Sequence, residues 1–248
     1  MDSKRFLAFS AISLMLVCAG AAKADSFSTG QFVTYTEGEW SSGGVAAPLL
    51  AADYDLVYQG TVGDLIVGVT GTPGQFFLEL ESSAAVLGLI PTSGQASALT
   101  TNLLDPTTSQ TGVFGGDVVA LALDVDFSNA GLLGTSSTPF GDLVLVNFGP
   151  ASSPNSVNPL TELNGLTVNQ FLGLANTCLG GGSCALGIDN ANEIAIDLQV
   201  AFNEGTPSTF ADDHLALPTS TTAAPEPSSV VLLGAGLLGI LGLAKFKV

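Results

Sequence analysis

The sequence predicts an α+β fold: a small mixed sheet or hairpin with several helices, including a C-terminal αα-hairpin, plus a signal peptide and a single C-terminal transmembrane helix. Three observations predict it. Two strand-like runs flank the turn residues Gly71-Thr72-Pro73-Gly74. Two stretches with apolar residues at helical spacing flank Gly180-Gly181-Gly182. Short apolar runs lie near both ends of the chain. Periodicity and turn chemistry assign the first two, and run length with flanking charge assigns the third.

The elements follow in order. Residues 25–44 are polar and rich in Gly and Ser with isolated aromatics, which predicts a loosely structured start with one strand at 31–35. Residues 45–58 carry Leu49, Leu50, Ala52, Leu56 and Val57 at helical spacing. Residues 65–70 and 75–81 form a hairpin around the Pro-Gly turn. A short helix over 82–90 starts at a serine cap and stops at Pro91. Residues 118–127 alternate like a strand, but the whole run 111–127 is long enough for a helix, and length tips the reading to helix. A short strand is expected at 143–148. A helix over 167–179 presents Val168, Phe171, Leu172 and Leu174 on one stripe, and the triple glycine stops it. A second helix over 189–203, with Asp189 as its cap, completes the αα-hairpin.

Charge is sparse and one-sided. All five basic residues, Lys4, Arg5, Lys23, Lys245 and Lys247, lie near the ends. Residues 25–226 hold 21 of the 22 carboxylates and no Lys or Arg. Such a domain cannot neutralise phosphates, so nucleic-acid binding is excluded, as are Schiff-base lysines and arginine clamps. Its field repels anionic polymers and attracts cations.

Residues 1–24 read as a signal peptide. Lys4 and Arg5 precede an apolar run, and Ala22-Lys23-Ala24 places small residues at the cleavage positions. Residues 25–218 are the acidic extracellular domain and 219–229 a linker containing Pro225-Glu226-Pro227. Residues 230–244 form an apolar segment and 245–248 a basic tail. A 15-residue helix is about 22 Å long, so this segment spans a bilayer only with local thinning or help from its flanks. The lysines place the domain outside. Gly234, Gly236 and Gly239 match a dinucleotide fingerprint, but the chain after them leaves no room for the strand–turn–helix unit that gives it meaning.

On Pro225, Glu226 and Pro227, the glycine-punctuated helix and the basic end, the tail resembles the PEP-CTERM sorting signal of Gram-negative bacteria. The resemblance covers roughly the last 24 residues and departs in having lysines where arginines are commoner. It implies recognition by an exosortase, a membrane cysteine transpeptidase, near the motif. It further implies transient residence in the inner membrane, then the cell surface or the matrix of a producer of exopolysaccharide or biofilm. Residues 163–204 also resemble a region of uncharacterised exported proteins with this tail, to which no activity is attached.

Chemistry-bearing candidates are few. Cys178 and Cys184 are the thiols left once Cys18 departs with the signal peptide, and an oxidising compartment favours a disulfide over the alternatives of a metal pair or a catalytic thiol. His214, after Asp212 and Asp213, is the lone His. It could be a general base, but no nucleophile elbow accompanies it, and it reads as part of a solvated loop. The pairs Asp53/Asp55, Glu79/Glu81 and Asp124/Asp126 are the spacing chance gives in so acidic a chain. No cofactor is expected. Calcium is the one ion the donors admit, through Asp189, Asn190, Asn192 and Glu193, although the loop signature is absent and a capped helix start explains them more simply. The function expected is a non-enzymatic surface or matrix protein acting in adhesion or with exopolysaccharide. The alternative is a secreted hydrolase of polysaccharide or peptide, which would need carboxylates converging in a pocket.

Overall fold

A computed structural model describes residues 26–58, 63–149 and 160–218. The sorting motif Pro225-Glu226-Pro227, the apolar segment 230–244 and the signal peptide lie outside these. No helix among the described residues is long and apolar enough to cross a membrane.

The architecture is α+β, with seven α-helices and two small sheets among the described residues. Helix α1 (Glu37–Trp40) opens with a capping box in which Thr36 and Glu39 exchange side-chain-to-backbone bonds. Helix α2 (Ala47–Val57) follows, with proline in its first turn. Strands β1 (Leu65–Gly68) and β2 (Phe77–Leu80) pair antiparallel in the expected hairpin, with Leu65 opposite Leu80 and Ile66 opposite Glu79. Helix α3 (Ser83–Leu89) is capped by Ser82, as its sequence predicts. Strand β3 (Leu103–Leu104) then joins β2 in parallel, with Leu104 beside Glu79.

Helix α4 (Val113–Asn129) is the axis of the molecule. Fourteen of its 17 residues are buried, so it lacks an amphipathic stripe and its local pattern resembled a strand. Gly131 ends it in a left-handed conformation (φ 74°), and Leu132 N returns a bond to Phe127 O. Strand β4 (Val144–Leu145) is shorter than expected. Helices α5 (Val168–Leu179) and α6 (Ile188–Gln199) form the αα-hairpin and pack on α4. Helix α7 (Thr209–His214) and strand β5 (Leu215–Ala216) close the domain, β5 pairing with β4.

Three expectations need correction. The start of the domain is not loose: Phe32 and Trp40 are fully buried, and Thr34 bridges to Asn203 where a strand was expected. Those isolated aromatics are core anchors, because Phe27, Phe32 and Phe202 meet edge-on or tilted at centroid distances of 5.0–5.6 Å. Asp189 is not the cap of α6; Gly187 holds that position at φ 79°. His214 is not in a solvated loop; it ends α7.

Candidate functional site

The chemistry of this domain is concentrated on α4, which sends three carboxyl groups into the interior. Asp117 faces α6, where Gln199 Nε2 donates to its carbonyl oxygen at 3.1 Å and to its Oδ1 at 3.4 Å. Gln199 Oε1 in turn accepts from Glu37 N at 3.0 Å, so one amide links α1 to α4. The carboxylate of Glu37 accepts from Thr92 N at 2.6 Å and lies over the bare backbone of Gly116. A Cβ there would sit 1.8 Å from Glu37 Oε1, so the glycine makes room for the carboxylate. Asp124 Oδ1 accepts from Tyr35 N at 2.9 Å and Trp40 Nε1 at 3.0 Å. Asp126 accepts from the Tyr58 hydroxyl at 3.0 Å.

These carboxyls are held without a cation, since no Lys or Arg lies between residues 25 and 226. Burial disfavours their charged form. Burial and then the neighbouring Glu37 push Asp117 up to about 7, against the opposing bonds from Gln199 and Asn192. Burial lifts Asp126 to about 6 against its bond from Tyr58. Asp124 is fully enclosed, and burial holds its carboxyl well above the carboxylate range despite two donors. Its Oδ2 is enclosed without a hydrogen-bond partner, which costs an ionised carboxylate more than a neutral one. Glu37 is raised by the same burial.

A second acidic group lies on the outer face of the β1–β2–β3 sheet. Carboxylate oxygens of Asp64, Glu79 and Glu81 come within 4.8 Å of one another. Asp105 sits beside them, with its Oδ1 accepting from Glu81 N at 2.9 Å. Glu79 is raised by desolvation first, then by Asp64, Glu81 and Asp105. Only the Glu79/Glu81 spacing was visible in the sequence; Asp64 arrives through strand pairing.

The other sequence candidates fall into separate places. Cys178 and Cys184 form a disulfide with Cα atoms 4.7 Å apart, tying the end of α5 to the loop before α6. On the first turns of α6, Asp189 and Glu193 are exposed while Asn192 is buried with its Oδ1 unpartnered. Asn190 donates to Leu186 O at 2.7 Å. Asp189 and Glu193 share the exposed face of the helix one turn apart. His214 clusters with the rings of Phe148 and Phe210, at centroid distances of 4.6 and 5.1 Å, with Nδ1 3.1 Å from Val146 O. Asp53 is half-buried and Asp55 exposed on α2.

A cavity of about 270 Å³ opens beside the disulfide, lined by Leu163, Leu166, Leu174, Cys178 and Leu186, with Glu162 and Ser183 as its polar side chains. It holds one ionisable group and none of the α4 carboxyls. No protein-family model, curated protein or solved structure matches this chain.

Proposed function

We propose that this chain is an exported surface or extracellular-matrix protein of a Gram-negative bacterium, delivered by an exosortase-type membrane transpeptidase and acting without catalysis. Its role would be adhesion or association with exopolysaccharide. The carrying observation is the order of signals in the tail: Pro225-Glu226-Pro227, the apolar run 230–244 and the closing lysines. Two prolines in three residues disfavour a continuing helix, the local preference on which this reading relies. The Cys178–Cys184 bridge and the base-free exterior support residence in an oxidising compartment rich in cations. Fractionation tests the reading. In a host carrying the sorting enzyme, the full chain should reach the surface, while a chain ending at Ala224 should remain in the periplasm. Equal distribution of the two would remove it.

The hydrolase reading has one feature in its favour, the Glu37–Asp117 pair with Asp117 poised near neutrality. A general acid must come within hydrogen-bond reach of its substrate. Asp117 is 6% exposed, which supports a structural role instead.

A further inference from the structure

The β1–β2–β3 sheet buries one face, carrying Leu65, Val67, Leu78 and Leu80, and leaves the other toward solvent. Across that outer face Ile66, Glu79 and Leu104 form one row, because Ile66 pairs with Glu79 and Glu79 with Leu104. Ile66 is 40% and Leu104 60% exposed. Phe77, two residues before Glu79 on the same face, is half-buried. The face therefore offers exposed apolar side chains on both sides of a carboxylate. Around this row lie Asp64, Glu79, Glu81 and Asp105, crowded as described above and without a cation in the domain to offset them.

We propose that this sheet face docks a cationic protein segment whose Lys or Arg side chains meet Asp64, Glu79 and Glu81 while its apolar side chains cover Ile66, Phe77 and Leu104. Charge complementarity selects that occupant. A second copy of this domain would bring the same carboxylates to the same place and be repelled. An anionic polymer would be repelled as well. A partner with alternating basic and apolar residues satisfies both halves of the surface, the charges steering encounter and the apolar contacts lengthening residence. The inference does not rest on the sorting tail, so either can fail without the other.

The test uses the exported protein and two synthetic peptides of equal positive charge, one alternating Lys with Val and one of Lys with Gly. Titration at physiological salt should show the Lys-Val peptide binding at least ~10-fold tighter, the factor expected of a few buried apolar side chains. The double variant Ile66→Thr, Leu104→Ser should remove that advantage with an unchanged circular dichroism spectrum. The variant Glu79→Gln, Glu81→Gln should weaken binding and reduce its salt dependence. Equal binding of both peptides, indifference to the double variants, or no binding would overturn the proposal. So would sedimentation showing that wild type dimerises through this face.

Discussion

The indole of Trp40 donates to Asp124 Oδ1 at 3.0 Å, while Oδ2 of the same carboxyl is enclosed without a partner. An ionised carboxylate in that position would leave a charge uncompensated in the core, so burial favours the neutral acid. Asparagine reproduces its shape and accepting oxygen. Asp124→Asn should therefore keep the melting temperature of wild type at pH 5 and equal or exceed it at pH 8. Trp40→Phe should cost about 1–3 kcal/mol, from the lost donor and the smaller ring. A loss of stability in Asp124→Asn that grows from pH 5 to pH 8 would contradict the neutral acid.

Stability should fall as pH rises. The carboxyls of Asp117 and Asp126 rest at about 7 and about 6 in the folded protein, above the ordinary value of 3.8. A raised acid favours the fold while protonated. Its contribution is complete below the unfolded value and is lost as pH climbs through the folded one. Thermal melts should thus drop by about 5 °C or more between pH 5 and pH 8. Asp117→Asn with Asp126→Asn should reduce that slope, leaving the part due to the other raised carboxyls, Asp124 and Glu37 among them. A melting temperature that rises over this interval would contradict the neutral-acid interior.

Gly116 should be coupled to Glu37. Adding a methyl places Cβ 1.8 Å from Glu37 Oε1 and 2.3 Å from Thr92 Oγ1, so Gly116→Ala must displace the carboxylate from Thr92 N. The expected cost is about 1–3 kcal/mol. In a Glu37→Ala background the same change should cost measurably less. Denaturant unfolding of the four proteins reads the cycle, and additive costs would show that Glu37 does not occupy that space.

The disulfide spans six residues, so its chain-entropy contribution is modest. Cys178→Ser with Cys184→Ser should lower stability by about 2 kcal/mol and leave the fold intact. Its position matters more than its loop length, because Phe76 N donates to Gly180 O and Leu99 N to Leu179 O within this corner. Hydrogen exchange should accordingly quicken first at Phe76 and Leu99 in the double variant. Two reactive thiols in the exported wild-type protein would contradict the bridge.

Much of this fold was legible, and the exceptions share a cause. Helices α3 and α5 and the β1–β2 hairpin carry their signals locally, in a serine or threonine cap, a Pro-Gly turn or a one-sided stripe, while α2 buries Leu50, Tyr54 and Val57 and leaves Ala52 and Leu56 of the expected apolar set exposed. Helix α4 was ambiguous because burial on every side erases periodicity. Helix α1 carries a local signal in its Thr36–Glu39 capping box, whereas the burial of the aromatic start depends on distant partners, such as Thr34 Oγ1 donating to Gln199 O at 2.6 Å. The acidic groups were hidden for the same reason. Asp117 meets Glu37 and Gln199, and Asp64 meets Glu79, only after helix packing and strand register bring them together. Of these groups, spacing along the chain showed only the pairs Glu79/Glu81 and Asp124/Asp126 and none of these distant partners.

The central claim is delivery by the tail, and C-terminal peptide mapping tests it most directly. The protein is isolated from the surface fraction of its native host and from a host lacking the sorting enzyme, and the terminal peptides are identified by mass. Processing predicts that the native-host protein ends near Pro225-Glu226-Pro227, while the other host yields a membrane-bound chain retaining Lys245, Lys247 and Val248. An intact Val248 terminus on the released native protein would contradict the account.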